Sequence, residues 1–155
     1  MKELPKEFDS YDETKRNGFL AMKELKESGK KVVGVFCTYS PLELIYAAGA
    51  IPVGLCGTSE EPIQYAEKDL PKNLCPLIKS SYGFAISDTC PYFYFSDMIL
   101  GETTCDGKKK MYELLNDIKE THVMQLPQTS DMKSSFELWR TEIVRLKEKL
   151  EEKFH

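Results

Sequence analysis

The sequence predicts an α/β fold of three layers, in which helices cover both faces of a mostly parallel sheet of about four strands. Short apolar or β-branched runs alternate with segments of helical periodicity along the chain. Turn residues or helix-capping residues separate most of these segments. Strands that alternate with helices are joined by right-handed crossovers, which place the strands in parallel.

The first half of the chain contains a helix and one strand-helix-strand unit. Residues 11 to 28 form the first predicted helix, because apolar side chains recur there at helical spacing. The run KKVVGVF follows as a buried strand, and IPVGLC is the second strand. Between them, Ser40 as N-cap and Pro41 at the first helical position predict the start of a second helix.

The second half supplies the remaining strands and helices. NLCPLIKSSYGFAI begins a helix with Pro76 in its first turn. FSDMILGETT is a strand, DGKKKMYELLNDI is an amphipathic helix, and HVMQLPQ is the fourth strand. The apolar face of the amphipathic helix comprises Met111, Leu114, Leu115 and Ile118.

A long amphipathic helix ends the chain. Its apolar stripe, which we expect to pack on this domain or on a second one, comprises Phe136, Trp139, Ile143, Leu146 and Leu150. The chain therefore divides into an N-terminal helical segment at 1 to 30, a Rossmann-like or flavodoxin-like domain at 31 to 130, and a long helix at 131 to 155.

Composition and charge exclude several classes of function. The chain has 155 residues, of which 41% are apolar and 30% are charged, as in an ordinary globular domain. Its net charge of −4 provides no basic surface for nucleic acid. The start, MKELPKEFDSYDE, lacks the pattern of a signal peptide, and no apolar run approaches the ~20 residues of a membrane span. We expect a cytoplasmic protein with no nucleic-acid or membrane partner.

Cysteines are the most informative residues of the sequence. Their number is odd and a cytosolic location keeps thiols reduced, so structural disulfides explain them poorly. Because no C-x-x-C pair or zinc-finger spacing occurs, any metal site must be assembled by the fold. The cysteines are Cys37, Cys56, Cys75, Cys90 and Cys105.

Cys37, Cys75 and Cys105 are the candidate ligands. Cys37 and Cys105 each follow a strand and precede a helix, and Cys75 directly precedes a helix. Ligands of such sheets collect at the carboxyl ends of the strands, where helix N-termini also point, so we expect these thiols at one edge. A helix N-terminus favours the thiolate, which is the form that binds metals.

Lys108, Lys109 and Lys110 open a helix, where they oppose the positive end of its dipole. We therefore expect an anion nearby, either an iron-sulfur cluster held by thiolates or an acidic partner. The simpler alternative is a solvated helix face with Asp106 capping the end.

The remaining candidate residues have either a functional or a structural interpretation. Glu102 and Thr104 flank the last cysteine and could serve as a proton donor and a hydrogen-bonding group, or could merely satisfy backbone groups. Cys56 lies in an apolar strand and is expected in the core, and Cys90 is expected to pack in a loop or in the core. His122 begins a strand at the opposite edge and is expected to be structural.

Three motifs carry a resemblance to a known family. FCTYSPLELIYAAGAIPVGLCG, NLCPLIKSSYGFAI and GETTCDGKKKMYELL together resemble the 2-hydroxyacyl-CoA dehydratase D-component family, which includes benzoyl-CoA reductase subunits and double-cubane cluster proteins. The resemblance runs from about residue 31 to 128, with the motifs in the family's order. The last motif resembles the double-cubane branch most.

The resemblance implies a cofactor, partners and ligands. Cys75 and Cys105 match cluster ligands of the family, and Cys37 matches an extra cysteine of the double-cubane branch. The cluster, of the 4Fe-4S or double-cubane type, would receive electrons from an ATP-hydrolysing iron-sulfur activator and pass them to a small molecule or acyl-CoA. A related subunit or a second copy would be the structural partner.

Chains of this family are longer, and the final EEKFH lacks a helix stop signal, so the resemblance implies an N-terminal fragment. Such a fragment is expected to hold no complete cluster and to be inactive alone. The longer protein would be a reductase or a dehydratase-like lyase. Two alternatives stay open. One is a non-catalytic flavodoxin-like domain for assembly or partner binding, with reduced and metal-free cysteines. The other, ranked last, is a thiol-nucleophile enzyme, for which no histidine is suitably placed.

Overall fold

The computed structural model describes residues 11 to 155 and confirms the predicted α/β class. Its strands are β1 (Lys31–Val35), β2 (Ala50–Gly54), β3 (Met98–Glu102) and β4 (Thr121–Met124). They form one all-parallel sheet in the order β2-β1-β3-β4. Residues 1 to 10 of the predicted N-terminal segment lie outside the described residues.

Helices connect the strands and cover both faces of the sheet. They are α1 (Tyr11–Glu27), α2 (Leu42–Ala47), α3 (Ile63–Ala66), α4 (Pro76–Ile86), α5 (Pro91–Phe95), α6 (Asp106–Asn116) and α7 (Lys133–Phe154). The sequence did not predict α3 and α5, because four or five residues are too few to show helical periodicity. No helix within residues 11 to 155 is long and apolar enough to cross a bilayer.

Each face of the sheet has its own core. Helices α3, α4, α5 and α6 contribute to one core, and α2 and α7 contribute to the other. In β3 the side chain of Ile99 enters the first core, whereas Met98 and Leu100 enter the second. This alternation follows from the two-residue period of a strand, and burial on both faces is typical of parallel sheets.

Two predicted apolar faces need correction. Phe136 is 71% exposed, although Leu146 and Leu150 of the same stripe are buried against the sheet. Ile118 is 47% exposed because it lies beyond the end of α6. Tyr112, which was not assigned to the apolar face of α6, is 1% exposed.

The ring of Tyr112 lies directly against the backbone of β3. A methyl group added at Gly101 would lie 2.6 Å from Cε1 and 2.8 Å from Cε2 of Tyr112. The ring also packs on Phe36, with centroids 5.7 Å apart, and its hydroxyl oxygen accepts a hydrogen bond from the Glu102 N–H at 3.4 Å. Burial raises the pKa of Tyr112 far above its ordinary value, so the phenol stays neutral.

Gly101→Ala should destabilise the protein by about 1 to 3 kcal/mol, because the added methyl group must displace a rigid buried ring. Gly54→Ala is the matched control, since a methyl group there meets nothing within 4 Å. Urea denaturation followed by circular dichroism measures both. Equal stabilities of the two variants would show that α6 moves away from β3 without cost.

A second contact fixes α7 to the end of β4. Glu142 is 2% exposed, and its carboxylate accepts hydrogen bonds from Arg145 Nη1 at 2.7 Å and from the Gln125 N–H at 3.1 Å. His122 lies on β4 near this carboxylate, and its Nε2 is buried with no hydrogen-bond partner among the described residues. Burial, with a smaller effect of Arg145, lowers the pKa of His122.

Stability should fall as the pH decreases from 7 to 5, partly because of His122. Its pKa is lower in the folded state than in the unfolded state, so the unfolded state binds more protons once the pH falls through the ordinary histidine value of about 6.5. His122→Phe should flatten the dependence of unfolding free energy on pH in this window. His155→Gln, at an exposed position, should keep the wild-type slope.

Candidate functional site

The carboxyl ends of β1 and β3 are neighbours at the point where the strand order reverses. From β1 the chain proceeds to β2 on one side, and from β3 it proceeds to β4 on the other side. The following loops therefore diverge and leave a crevice at this edge, where ligands of such sheets bind. Cys37 follows β1 and Cys105 follows β3, so both lie at this edge.

Cys37 lies above the first turn of α6. Its φ of 66° is in the left-handed region, which is uncommon for residues with a side chain. The Sγ atom lies 3.6 Å from Oγ1 of Thr104 and contacts Nζ of Lys108, which donates to it. The ammonium group of Lys108 can therefore stabilise a negative charge on this sulfur.

Cys75 and Cys105 occupy the N-cap positions of two helices that touch. Cys75 precedes α4 and Cys105 precedes α6, and both are exposed. A methyl group added at Gly107 would lie 2.6 Å from Cδ1 of Ile78 and 3.0 Å from Cδ1 of Leu74. The absence of a side chain at Gly107 thus lets the first turns of α4 and α6 meet. Neither thiol caps its own helix.

The lysines that follow Cys105 have three different environments. Lys108 contacts the thiol of Cys37. Lys109 forms an ion pair with Asp106 at 3.0 Å, and Lys110 forms one with Glu113 at 2.9 Å. They therefore do not form a single basic patch, and Lys108 is the one in direct contact with a candidate ligand.

A buried carboxylate lies beneath this edge. Glu102 is 0% exposed, and its Oε1 accepts a hydrogen bond from the Ser40 hydroxyl at 2.6 Å. Its Oε2 is buried with no partner among the described residues. The prediction that Ser40 is the N-cap of α2 is wrong, because Pro41 holds that position and the Ser40 hydroxyl bonds the carboxylate instead.

The other two cysteines differ from each other. Cys56 is exposed just beyond β2, so the prediction that it lies in the core is wrong; its neighbour Leu55 is the buried residue. Cys90 is partly buried and packs against the core as expected, and its Sγ accepts a hydrogen bond from the Phe93 N–H at 3.4 Å. The strand IPVGLC ends before the cysteine, which explains the error at Cys56.

Reduced thiols at two helix N-termini fit an iron-sulfur cluster in donor type, since such clusters are held by thiolates and carry net negative charge. Across residues 11 to 155, however, no group of three or more Cys, His, Asp or Glu side chains is arranged to hold a metal ion. The described residues therefore place candidate thiols at this edge but do not form a complete metal site.

Comparison with known proteins gives consistent matches. The family model for "2-hydroxyglutaryl-CoA dehydratase, D-component" matches residues 37–155. The chain is 56% identical over 152 residues to the putative dehydratase subunit YjiM of Escherichia coli (strain K12), covering 98% of this chain and 40% of that protein.

Two further relatives are named as beta subunits of dehydratases. The (R)-phenyllactyl-CoA dehydratase beta subunit of Clostridium sporogenes is 28% identical over 133 residues, and the lactoyl-CoA dehydratase subunit beta of Anaerotignum propionicum is 27% identical over 133 residues. Each match covers 84% of this chain and 34% of the relative. The chain thus spans well under half the length of the relatives it matches.

Ser40→Ala should lower the free energy of unfolding by about 1 to 3 kcal/mol, because it leaves both carboxylate oxygens of Glu102 buried without a partner. Thr141→Ala is a suitable control, since that exposed hydroxyl bonds a carbonyl within its own helix. Urea titration of both variants measures the effect. A Ser40→Ala variant as stable as the control would contradict a structural role for this pair.

Proposed function

The chain belongs to the 2-hydroxyglutaryl-CoA dehydratase D-component family, and on this premise we propose that it is the iron-sulfur cluster-binding domain of a 2-hydroxyacyl-CoA dehydratase-like protein. In this proposal the protein takes part in low-potential electron transfer that reduces or dehydrates a small substrate.

The observation that carries the proposal is the placement of Cys75 and Cys105 at two helix N-termini that touch through Gly107. Free backbone N–H groups and the positive dipole ends of α4 and α6 both stabilise negative charge at such a position. A thiolate-held cluster is the kind of anion that this edge favours. The proposal makes Cys75 and Cys105 ligands and Cys37 an additional one.

The other polar residues at this edge would support the bound group. When bound, a cluster supplies a low-potential electron carrier. Lys108 balances negative charge at Cys37, while Lys109 and Lys110 contribute at longer range. Thr104 lies within hydrogen-bonding reach of the Cys37 sulfur. Glu102 holds a buried carboxyl group with one unpartnered oxygen, and we propose it as a proton donor.

The relatives support the proposed partners. Two of them are named as beta subunits of dehydratases that act on phenyllactyl-CoA and lactoyl-CoA, which favours a related partner subunit and a 2-hydroxyacyl-CoA substrate for this protein. An ATP-hydrolysing iron-sulfur activator would supply the electrons. The remaining cluster ligands would come from outside the described residues, since these contain no group of three suitable side chains.

Iron and acid-labile sulfide, measured on protein prepared without oxygen, test the cluster. The chain extended to the length of its relatives, which supplies the remaining ligands in this proposal, should bind both and show visible absorption. Cys75→Ala and Cys105→Ala should each lose most of the iron and sulfide. Cys90→Ala is the matched control and should retain them, because that thiol packs against the core and bonds the Phe93 N–H.

Two results would contradict the proposal. Extended wild-type protein that stays colourless, with only free thiols, would leave a metal-free domain for assembly or partner binding. Equal loss of iron from Cys90→Ala and from Cys105→Ala would also contradict it. Iron binding would then depend on the number of thiols in the protein and not on their position at the ends of α4 and α6.

A further inference from the structure

An open cavity of about 740 Å³ lies beside the candidate cluster site. Tyr39, Thr103, Thr104 and Lys109 line it on the side of the strand ends and α6. The loop of residues 126 to 130 and Trp139 of α7 line the opposite side. A volume of this size is typical of sites for small organic ligands. No candidate cluster ligand lines the cavity, although Thr104 and Lys109 belong to both the cavity and the surroundings of the proposed cluster.

The charge of the lining favours an anion. Among the described residues that line the cavity, Lys109 is the one with a charged side chain, and none carries a carboxylate. Lys109 pairs with Asp106, whose side chain is 97% exposed, and an ion pair in water at such exposure is weak. The ammonium group can therefore exchange this partner for an anionic ligand at little cost.

The polar groups of the lining are mostly hydroxyls. Thr103 Oγ1 accepts a hydrogen bond from the Leu126 N–H at 2.9 Å, which holds the loop against the end of β3 and leaves the Thr103 O–H as a donor. Thr104 also lines the cavity, and its Oγ1 lies 3.6 Å from the Cys37 sulfur. Hydroxyl donors and an ammonium group together suit the oxygens of a carboxylate.

Part of the cavity lining is apolar, and neighbouring residues hold it in place. Leu126, Pro127 and Trp139 provide this surface. Trp139 packs against the core between the sheet and α7, so its indole is held in place by its neighbours. An apolar chain or ring of a ligand would gain from contact with these groups because they are removed from water on binding.

We propose that this cavity binds a small organic carboxylate. Its carboxylate lies against Lys109 and the threonine hydroxyls, and its apolar body lies against Leu126, Pro127 and Trp139. Two acidic residues are near in the chain, but Asp106 and Asp131 do not line the cavity. The proposal goes beyond the proposed electron transfer, because binding here requires neither a cluster nor its cysteines.

Hexanoate binding tests the proposal directly. Trp139 is the single tryptophan of the chain, so its emission reports on the cavity without a label. Titration of the full chain with hexanoate should change this emission in a saturable way, and calorimetry should give the same affinity. Hexanamide, which has the same alkyl chain but no charge, should bind at least about fivefold more weakly. Acetate, which has the negative charge but only a methyl group, should bind more weakly than hexanoate.

Two lysine variants with the same change of net charge localise the effect. Lys109→Gln should weaken hexanoate binding about fivefold or more, which is the scale of one charge-assisted contact. Lys110→Gln should keep the wild-type affinity, because Lys110 pairs with Glu113 and does not line the cavity. Both side chains are exposed, and circular dichroism checks that both variants fold.

Three outcomes would overturn the proposal. One is an absence of saturable binding of hexanoate by both fluorescence and calorimetry. Another is equal affinity for hexanoate and hexanamide, which would remove the role of charge. The third is an equal loss of affinity in Lys109→Gln and Lys110→Gln, which would show a general effect of net charge. None of these measurements depends on iron, so a failed cluster experiment would leave the result intact.

Discussion

The candidate site depends on how closely α6 approaches β3 and α4. At Gly101 the backbone of β3 lies against the ring of Tyr112, and at Gly107 the first turn of α6 meets Ile78 of α4. Side chains at either glycine would push α6 outward and separate the helix ends. Because Cys105 directly precedes α6, the same approach determines where its thiol lies relative to the start of α4. Close packing at Gly101 and Gly107 therefore determines how near the thiols of Cys75 and Cys105 lie to each other.

The pair formed by Glu102 and Ser40 links the two loops that border the crevice. Glu102 ends β3 three residues before Cys105, and Ser40 lies three residues after Cys37. A carboxyl group with one unpartnered oxygen in a 0% exposed position costs stability, and such costs are most often tolerated near functional groups. The pair holds the loop after β1 against the end of β3, so it steadies Cys37 as well as supporting the fold.

Local patterns in the sequence predicted most of the fold. They could not predict contacts between residues that are far apart in the sequence. The four strands, the long α7 and the position of Cys75 and Cys105 before helices follow from periodicity and from residues such as Pro76. The bond from Ser40 to Glu102 spans 62 residues and competes with a local role as helix cap, so no short-range signal reveals it. The contact of Lys108 with Cys37 is also long-range, because the two residues are separated by 71 positions in the sequence.

Positive charge at this edge has two origins, and they act on different thiols. Cys75 and Cys105 lie at the ends of α4 and α6, where backbone N–H groups and helix dipoles are fixed by the fold. Cys37 has no helix of its own at that position and instead contacts the ammonium group of Lys108, which is carried on a long side chain. A strained backbone at Cys37, with φ of 66°, holds the sulfur toward that lysine and Thr104. The positive charge beside Cys37 therefore depends on one movable side chain, whereas the positive charge beside the other two sulfurs depends on the packing of the domain.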